Sequence, residues 1–499
     1  VTRINVEAYR RRAEEFVAAL DYEYYAHYAG LKADCDFTAV YDRFPELFTK
    51  EAVDELNAVY EVVQGEEKKR LAFLLEFTID GFIGERTKHL TDQIANREGR
   101  AVVHVDGQDI PFRQAGIVQA NEPDRDRRRR IERARLDVVQ GQLNELYDEL
   151  WRSEHELARQ LGFADYTALY DMLTRVDLDL LRAQAEAFLQ DTEGLYQRSL
   201  EKLLPAKLGI KLTDLEYADL PRLVRAPEYD TIFTAERMIP TFEATLAGMG
   251  VDLQAQTNVH IDAEPRPLKS PRAFCAPVHI PNEIYLVVMP KGGQDDYIAL
   301  LHEGGHTEHF AHTPVDLPFE YRHFGDNAVT EGYAFLMDHL ILNPRWLDVY
   351  LGYANSADFL KFANIVQLYY LRRYCGKIVY EVDLHRCTDS LDGMDKLYAD
   401  SLSEALMVDV PPENYLIDVD QEFYVSSYLR AWMYEGALRM LLQDRYGMEW
   451  WHDEAGCGWL KQLWSKGQEF SADQILLKNG GGKLDVDPLR HHIERALGR

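Results

Sequence analysis

Apolar residues recur at three- and four-residue spacing along most of the chain, and the clearest interruption falls between about residues 250 and 292. That spacing lines apolar side chains along one face of a helix. It runs through 5–28, where Ala8, Ala13, Phe16, Val17 and Leu20 carry it, and again through about 50–95, 124–160, 166–200, 229–249, 355–405 and 420–445. The interruption holds Pro265, Pro267, Pro271, Pro277, Pro281 and Pro290, and proline cannot continue a helix interior. Within it, Ile284 to Met289 is β-rich and has turn residues on both sides, which predicts a strand. The expectation is a mainly α protein with one short sheet. No segment repeats at a fixed period, so a solenoid is excluded.

Acidic residues outnumber basic ones by 84 to 55, a formal charge of −29, which would repel nucleic acid and anionic membrane surfaces. The four arginines Arg127 to Arg130 alternate with Asp126 and Glu132 in the pattern of a solvated helix face. Five scattered cysteines form no C-x-x-C pair, so neither a disulfide framework nor a cysteine metal site is expected. The first residues lead into charged helical sequence, and no apolar run approaches the roughly 18 residues of a membrane span. A cytoplasmic location is the expectation. Gly480 to Gly482 lacks phosphate-loop spacing and reads as a turn.

The chemistry concentrates after the predicted strand. His302-Glu-Gly-Gly-His306 is H-E-x-x-H, and on a helix the two histidines lie on one face, where both imidazoles can reach one metal ion. Glu303 stands beside the first of them, placed to act as general base without binding the metal. Asp295 and Asp296 suit the start of this helix and Pro314 its end. Gly304 and Gly305 each cost a helix about 1 kcal/mol relative to alanine, so their place here points to close approach by substrate or by neighbouring backbone. Zinc suits imidazole and carboxylate ligands with one position left open.

A third ligand has two candidates. His312 falls where a metzincin H-E-x-x-H-x-x-G-x-x-H would place it, but His309 replaces the turn glycine. Glu331 lies in the apolar helical run from Ala328 to Asp338, where a buried carboxylate needs a partner, and it is the preferred ligand. Asp338, seven residues on and on the same face, either orients a ligand histidine or serves the surface.

These residues resemble a known family. H-E-G-G-H-T-E-H is similar to the H-E-x-G-H-x-x-H of thimet-oligopeptidase-like and oligoendopeptidase-like zinc peptidases, whose glutamate ligand also follows the second histidine by about 25 residues, as Glu331 follows His306. Gly332-Tyr-Ala stands where the family usually carries Pro-Ser-Gln, so the resemblance is to a divergent member. It implies a two-lobed, zincin-like helical fold around a deep central cleft, with an N-terminal helical lobe over 1–255 and a catalytic lobe over 256–499. One zinc ion per chain and an oligopeptide substrate are implied as well. Gln421 to Arg430 is similar to the family's tyrosine-rich helix, so Tyr428 and Tyr424 are expected to donate to the tetrahedral intermediate. By the same resemblance, the strand near 284–289 offers its edge to an extended peptide.

Two other readings use the same residues. A peptide-binding scaffold without activity would have no use for Glu303. A di-iron carboxylate oxidoreductase would use the two E-x-x-H pairs, Glu303 with His306 and Glu320 with His323, although Pro314 and Pro318 leave little room for its long facing helices.

Overall fold

A computed structural model describes residues 4–387 and 390–498. The chain is mainly α, as its periodicity predicts. Long helices span Val6–Tyr28, Gly65–Arg100, Leu178–Lys207, Ala357–His385 and Tyr424–Tyr446. Two predicted runs are each divided. The 50–95 run breaks after Tyr60 and resumes at Gly65, whose φ is 64°, and the 355–405 run resumes as Met394–Leu406 after Gly393 at φ 82°. The run over 124–160 continues through a π turn at Val139–Leu143 that contains Gly141. Among the described residues, no helix is long and apolar enough to cross a membrane.

Among the described residues, five strands form two small sheets. Strands β1 (Val102–Val105) and β2 (Gln108–Pro111) make a hairpin over Asp106-Gly107, both at positive φ, as a two-residue turn of this hand requires. The other sheet has the order β3 (Val259–Asp262), β5 (Glu283–Val287), β4 (Phe274–His279), with β3 parallel and β4 antiparallel to β5. The predicted strand is therefore β5, and its expected role needs correcting. Pairing on both sides leaves β5 no free edge, and β4 takes the edge position instead.

The main apolar core draws residues from Tyr9 to Ile493. A smaller cluster joins Tyr25 of the first helix and Ala29 just past its end to Phe274, Ala276 and Val287, so the sheet is clamped against that helix. The motif helix Gln294–Ala311 packs on this sheet and on the helix Asn327–Asp338, which in turn packs on Tyr424–Tyr446. Asp326 locks the last two together. Its carboxylate caps Ala328 N–H and accepts both arms of the Arg430 guanidinium at 2.5 and 2.8 Å. The sheet and these two helices thus hold the motif in a fixed frame.

Candidate metal centre

The motif helix starts where the sequence places it. Asp296 accepts the N–H groups of Lys291 and Gly292 at 2.7 and 2.9 Å, and Gly293 at φ 96° turns the chain into the helix. Half-buried His302 and buried His306 then face the Asn327–Asp338 helix with their rings 5.0 Å apart. Nε2 of His302 lies 3.2 Å from Oε2 of Glu331, and Nε2 of His306 lies 3.5 Å from the same oxygen. Among the described residues these three are the one His, Cys, Asp or Glu group whose donor atoms all fall within 4.8 Å of one another.

The far side of each ring is held. Oδ2 of Asp338 sits 3.0 Å from His302 Nδ1, and Oγ1 of Thr330 sits 2.8 Å from His306 Nδ1. With the Nδ1 protons given to those oxygens, each Nε2 presents a lone pair toward Glu331. Glu331 is 3% exposed; its Oε1 accepts the Tyr424 hydroxyl at 2.6 Å, while its buried Oε2 receives no hydrogen bond. Two lone pairs and a carboxylate oxygen facing one another repel unless a cation stands among them. Tetrahedral ligands about 2.1 Å from zinc would be about 3.4 Å apart, and the observed 3.2 and 3.5 Å match. The donor set therefore fits a zinc-like ion. Burial alone would raise the Glu331 carboxyl, but His306 and His302 outweigh it and hold its pKa below the usual range. Burial disfavours charge on His302, yet the Asp338 and Glu331 carboxylates outweigh it and raise its pKa.

Glu303 lies beside these donors but is not one of them. Its Oε2 accepts the N–H of Cys275 on β4 at 2.9 Å, which ties the carboxylate to the sheet edge. Burial raises its pKa, against the charges of His302 and His306. His302, Glu303, His306, Glu331, Tyr424 and Tyr428 all line one cavity of about 990 Å³. The Tyr428 ring stands edge-on to Tyr424 at 5.1 Å, and its hydroxyl bonds to no described residue.

With this geometry in view, the backbone can be set beside solved structures. It aligns with the crystal structure of "a putative oligoendopeptidase F from Bacillus anthracis str. Ames" at a TM-score of 0.60 and 14% sequence identity, over 95% of this chain and 84% of that one. The fold is oligoendopeptidase-like. No protein-family profile matches the chain, and no curated protein matches it by sequence.

The other candidates go elsewhere. His309 Nε2 faces the carbonyl of Gly467 at 3.2 Å, and His312 Nδ1 faces that of Glu308 at 2.8 Å, so neither joins the three donors. Glu320 is buried and spends both oxygens on Arg10 and Arg70, which removes the second pair that a di-iron site would need. Asp338 proves to contact His302, as its helical spacing allowed. Thr330 and Cys275 were missed. A threonine beside a ligand carries no distinguishing signal, and the Cys275 contact runs through backbone that any residue supplies.

Proposed function

We propose that this chain is a zinc-dependent peptidase that hydrolyses peptide bonds of oligopeptides. One observation carries the reading: two imidazoles and the Glu331 carboxylate aim donor atoms at one point in the wall of a cavity, where Glu303 and two tyrosines also stand. His302, His306 and Glu331 would hold the ion. Bound zinc supplies Lewis acidity toward a water and a substrate carbonyl oxygen.

The chain's own residues supply the rest. Glu303 takes a proton from the attacking water and passes it to the leaving amine; its raised pKa brings it nearer to neutral working pH, where proton transfer in both directions is most efficient. Burial raises the pKa of Tyr424 and of Tyr428, so both phenols remain donors at any working pH. Tyr424 spends its proton on Glu331, which leaves the unbonded Tyr428 hydroxyl to meet negative charge on the carbonyl oxygen. Asp338 and Thr330 are positioning residues that fix the two imidazole rings. A cavity of about 990 Å³ suits a short peptide and not a folded protein.

Metal content tests the reading. Native protein purified without chelator is expected to carry about one zinc per chain by mass spectrometry and to cleave quenched oligopeptides. Glu331→Ala is expected to lose both properties. Cleavage that survives complete metal stripping would sink the proposal. The positioning role of Asp338 has its own readout. Asp338→Ala is expected to weaken zinc binding about 10–100-fold in competition with a fluorescent chelator. Unchanged affinity would leave Asp338 no such role.

A further inference from the structure

We infer that Arg113 and Arg272 form a carboxylate subsite within the catalytic cavity, which gives preference to peptides that carry a free carboxylate beyond the scissile bond; this rests on the peptidase reading above. Four arginines line the cavity: Arg113, Arg135, Arg272 and Arg373. Two are committed. Arg373 pairs with Asp418, and Arg135 pairs with Glu132 while also donating to Asn414 at 3.0 Å.

The other two are not. Arg113 donates to the carbonyl of Ala95 at 2.8 Å, meets His27 Nε2 at 3.3 Å and lies over the Tyr28 ring at 5.1 Å. No carboxylate of a described residue lies within ion-pair distance of it. The Arg272 side chain makes no hydrogen bond or ion pair with any described residue and is exposed to the cavity. In a chain with 84 acidic residues against 55 basic ones, carboxylates to neutralise these guanidiniums are plentiful, yet none is supplied. Glu98 is the nearby acid. It is turned to Tyr147, whose hydroxyl donates to it at 2.9 Å, and it forms no ion pair with either guanidinium.

The arginines are also close to the chemistry. Tyr24 lines the same cavity as Glu303, Arg113 and Arg272. Arg272 precedes Cys275, whose N–H holds Glu303, by three residues, a backbone span of at most about 11 Å. An extended peptide covers that in roughly three residues. A planar guanidinium matches a carboxylate with two parallel hydrogen bonds, and Arg113 is already fixed in place by Ala95 and Tyr28. A neighbouring cavity of about 440 Å³ shares Tyr24, His323 and Asn327 with the catalytic one, but it is lined by the acids Asp21, Asp80 and Glu422, and its lysine, Lys88, is already paired with Asp42 and Glu85, so it offers a carboxylate no open cation. Charge thus assigns the anionic end of a peptide to the arginine pair.

Three peptides of one sequence distinguish the sources of the carboxylate: a free C-terminal acid, its C-terminal amide, and an amide with glutamate as the last residue. For the native holoenzyme, kcat/KM for the free acid should exceed that for the plain amide by about tenfold or more, mostly through KM, as expected for loss of a charge-assisted bond. In Arg272→Ala and Arg113→Ala the ratio should fall toward one. Rescue by the glutamate amide would assign the subsite to any carboxylate, and failure of rescue would assign it to the terminal one. The same peptides, fluorescently labelled, are titrated by anisotropy against Glu303→Gln protein loaded with zinc. That measurement needs no turnover: discrimination in binding here, with no hydrolysis of these peptides by the native holoenzyme, would overturn the peptidase reading and keep the subsite. Equal binding and equal cleavage of acid and amide by the protein with both arginines would overturn the subsite alone.

Discussion

Glu303→Gln is expected to lower kcat on a quenched oligopeptide by about 10²–10⁴-fold while zinc content and KM stay near native values. The amide has the shape of the carboxylate and its oxygen can still accept the Cys275 N–H, so the strand and the motif helix stay joined. What disappears is the carboxylate that stands beside the three metal donors without being one of them. Glu331 cannot substitute, because Tyr424 occupies one of its oxygens and the other faces two imidazoles. Nor can Asp338, which is spent on His302. Zinc analysis run beside the assay separates loss of chemistry from loss of the ion. Hydrolysis that proceeds at the native rate would remove Glu303 from the mechanism. Native protein that binds peptides and zinc but cleaves none would favour the scaffold reading instead.

The parts of this site that sequence made legible are those written in local spacing. Two histidines four apart must share a helical face, and a glutamate within Ala328–Asp338 must find a partner because its neighbours are apolar. Asp338 follows from the same arithmetic, two turns after Glu331. What stayed hidden depends on pairing across distance. β4 carries Pro277 and only short alternation, so nothing local marks it as a strand, still less as the edge that reaches Glu303. β1 and β2 lie in the gap between the runs over 50–95 and 124–160, where Asp106-Gly107 is a hairpin signal that the helical periodicity does not report. Arg113 enters the cavity from a helix far upstream of the motif, and no spacing rule connects the two. The glycine pair was half legible: close approach was expected, but not what approaches.

Gly305→Ala is expected to destabilise the protein by about 2 kcal/mol and to release zinc, a net figure in which overpacking of about 3 kcal/mol is offset by about 1 kcal/mol of helix propensity. A Cβ at Gly305 would stand 2.6 Å from the Cα of Ala334 and 2.9 Å from the carbonyl oxygen of Tyr333. Both are backbone atoms of the helix that carries Glu331, so they can retreat only if that helix moves. Carbon atoms in contact prefer about 3.5–4.0 Å, so the two helices must part by about 1 Å at this point. Glu331 would move away from His302 and His306 with its helix, and a donor set matched to bonds of about 2 Å has little tolerance for that. Gly304 provides the internal comparison. Its Cβ would meet the ring of Phe242 at 2.3 Å, a side chain on the helix Ala235–Gly248 that bears none of the donors. Gly304→Ala should therefore cost stability through the displaced ring yet keep its zinc. Thermal unfolding with and without excess zinc, together with metal analysis, reads both variants. Equal zinc retention in the two would show that contact between the motif helix and the Glu331 helix does not set the geometry of the three donors.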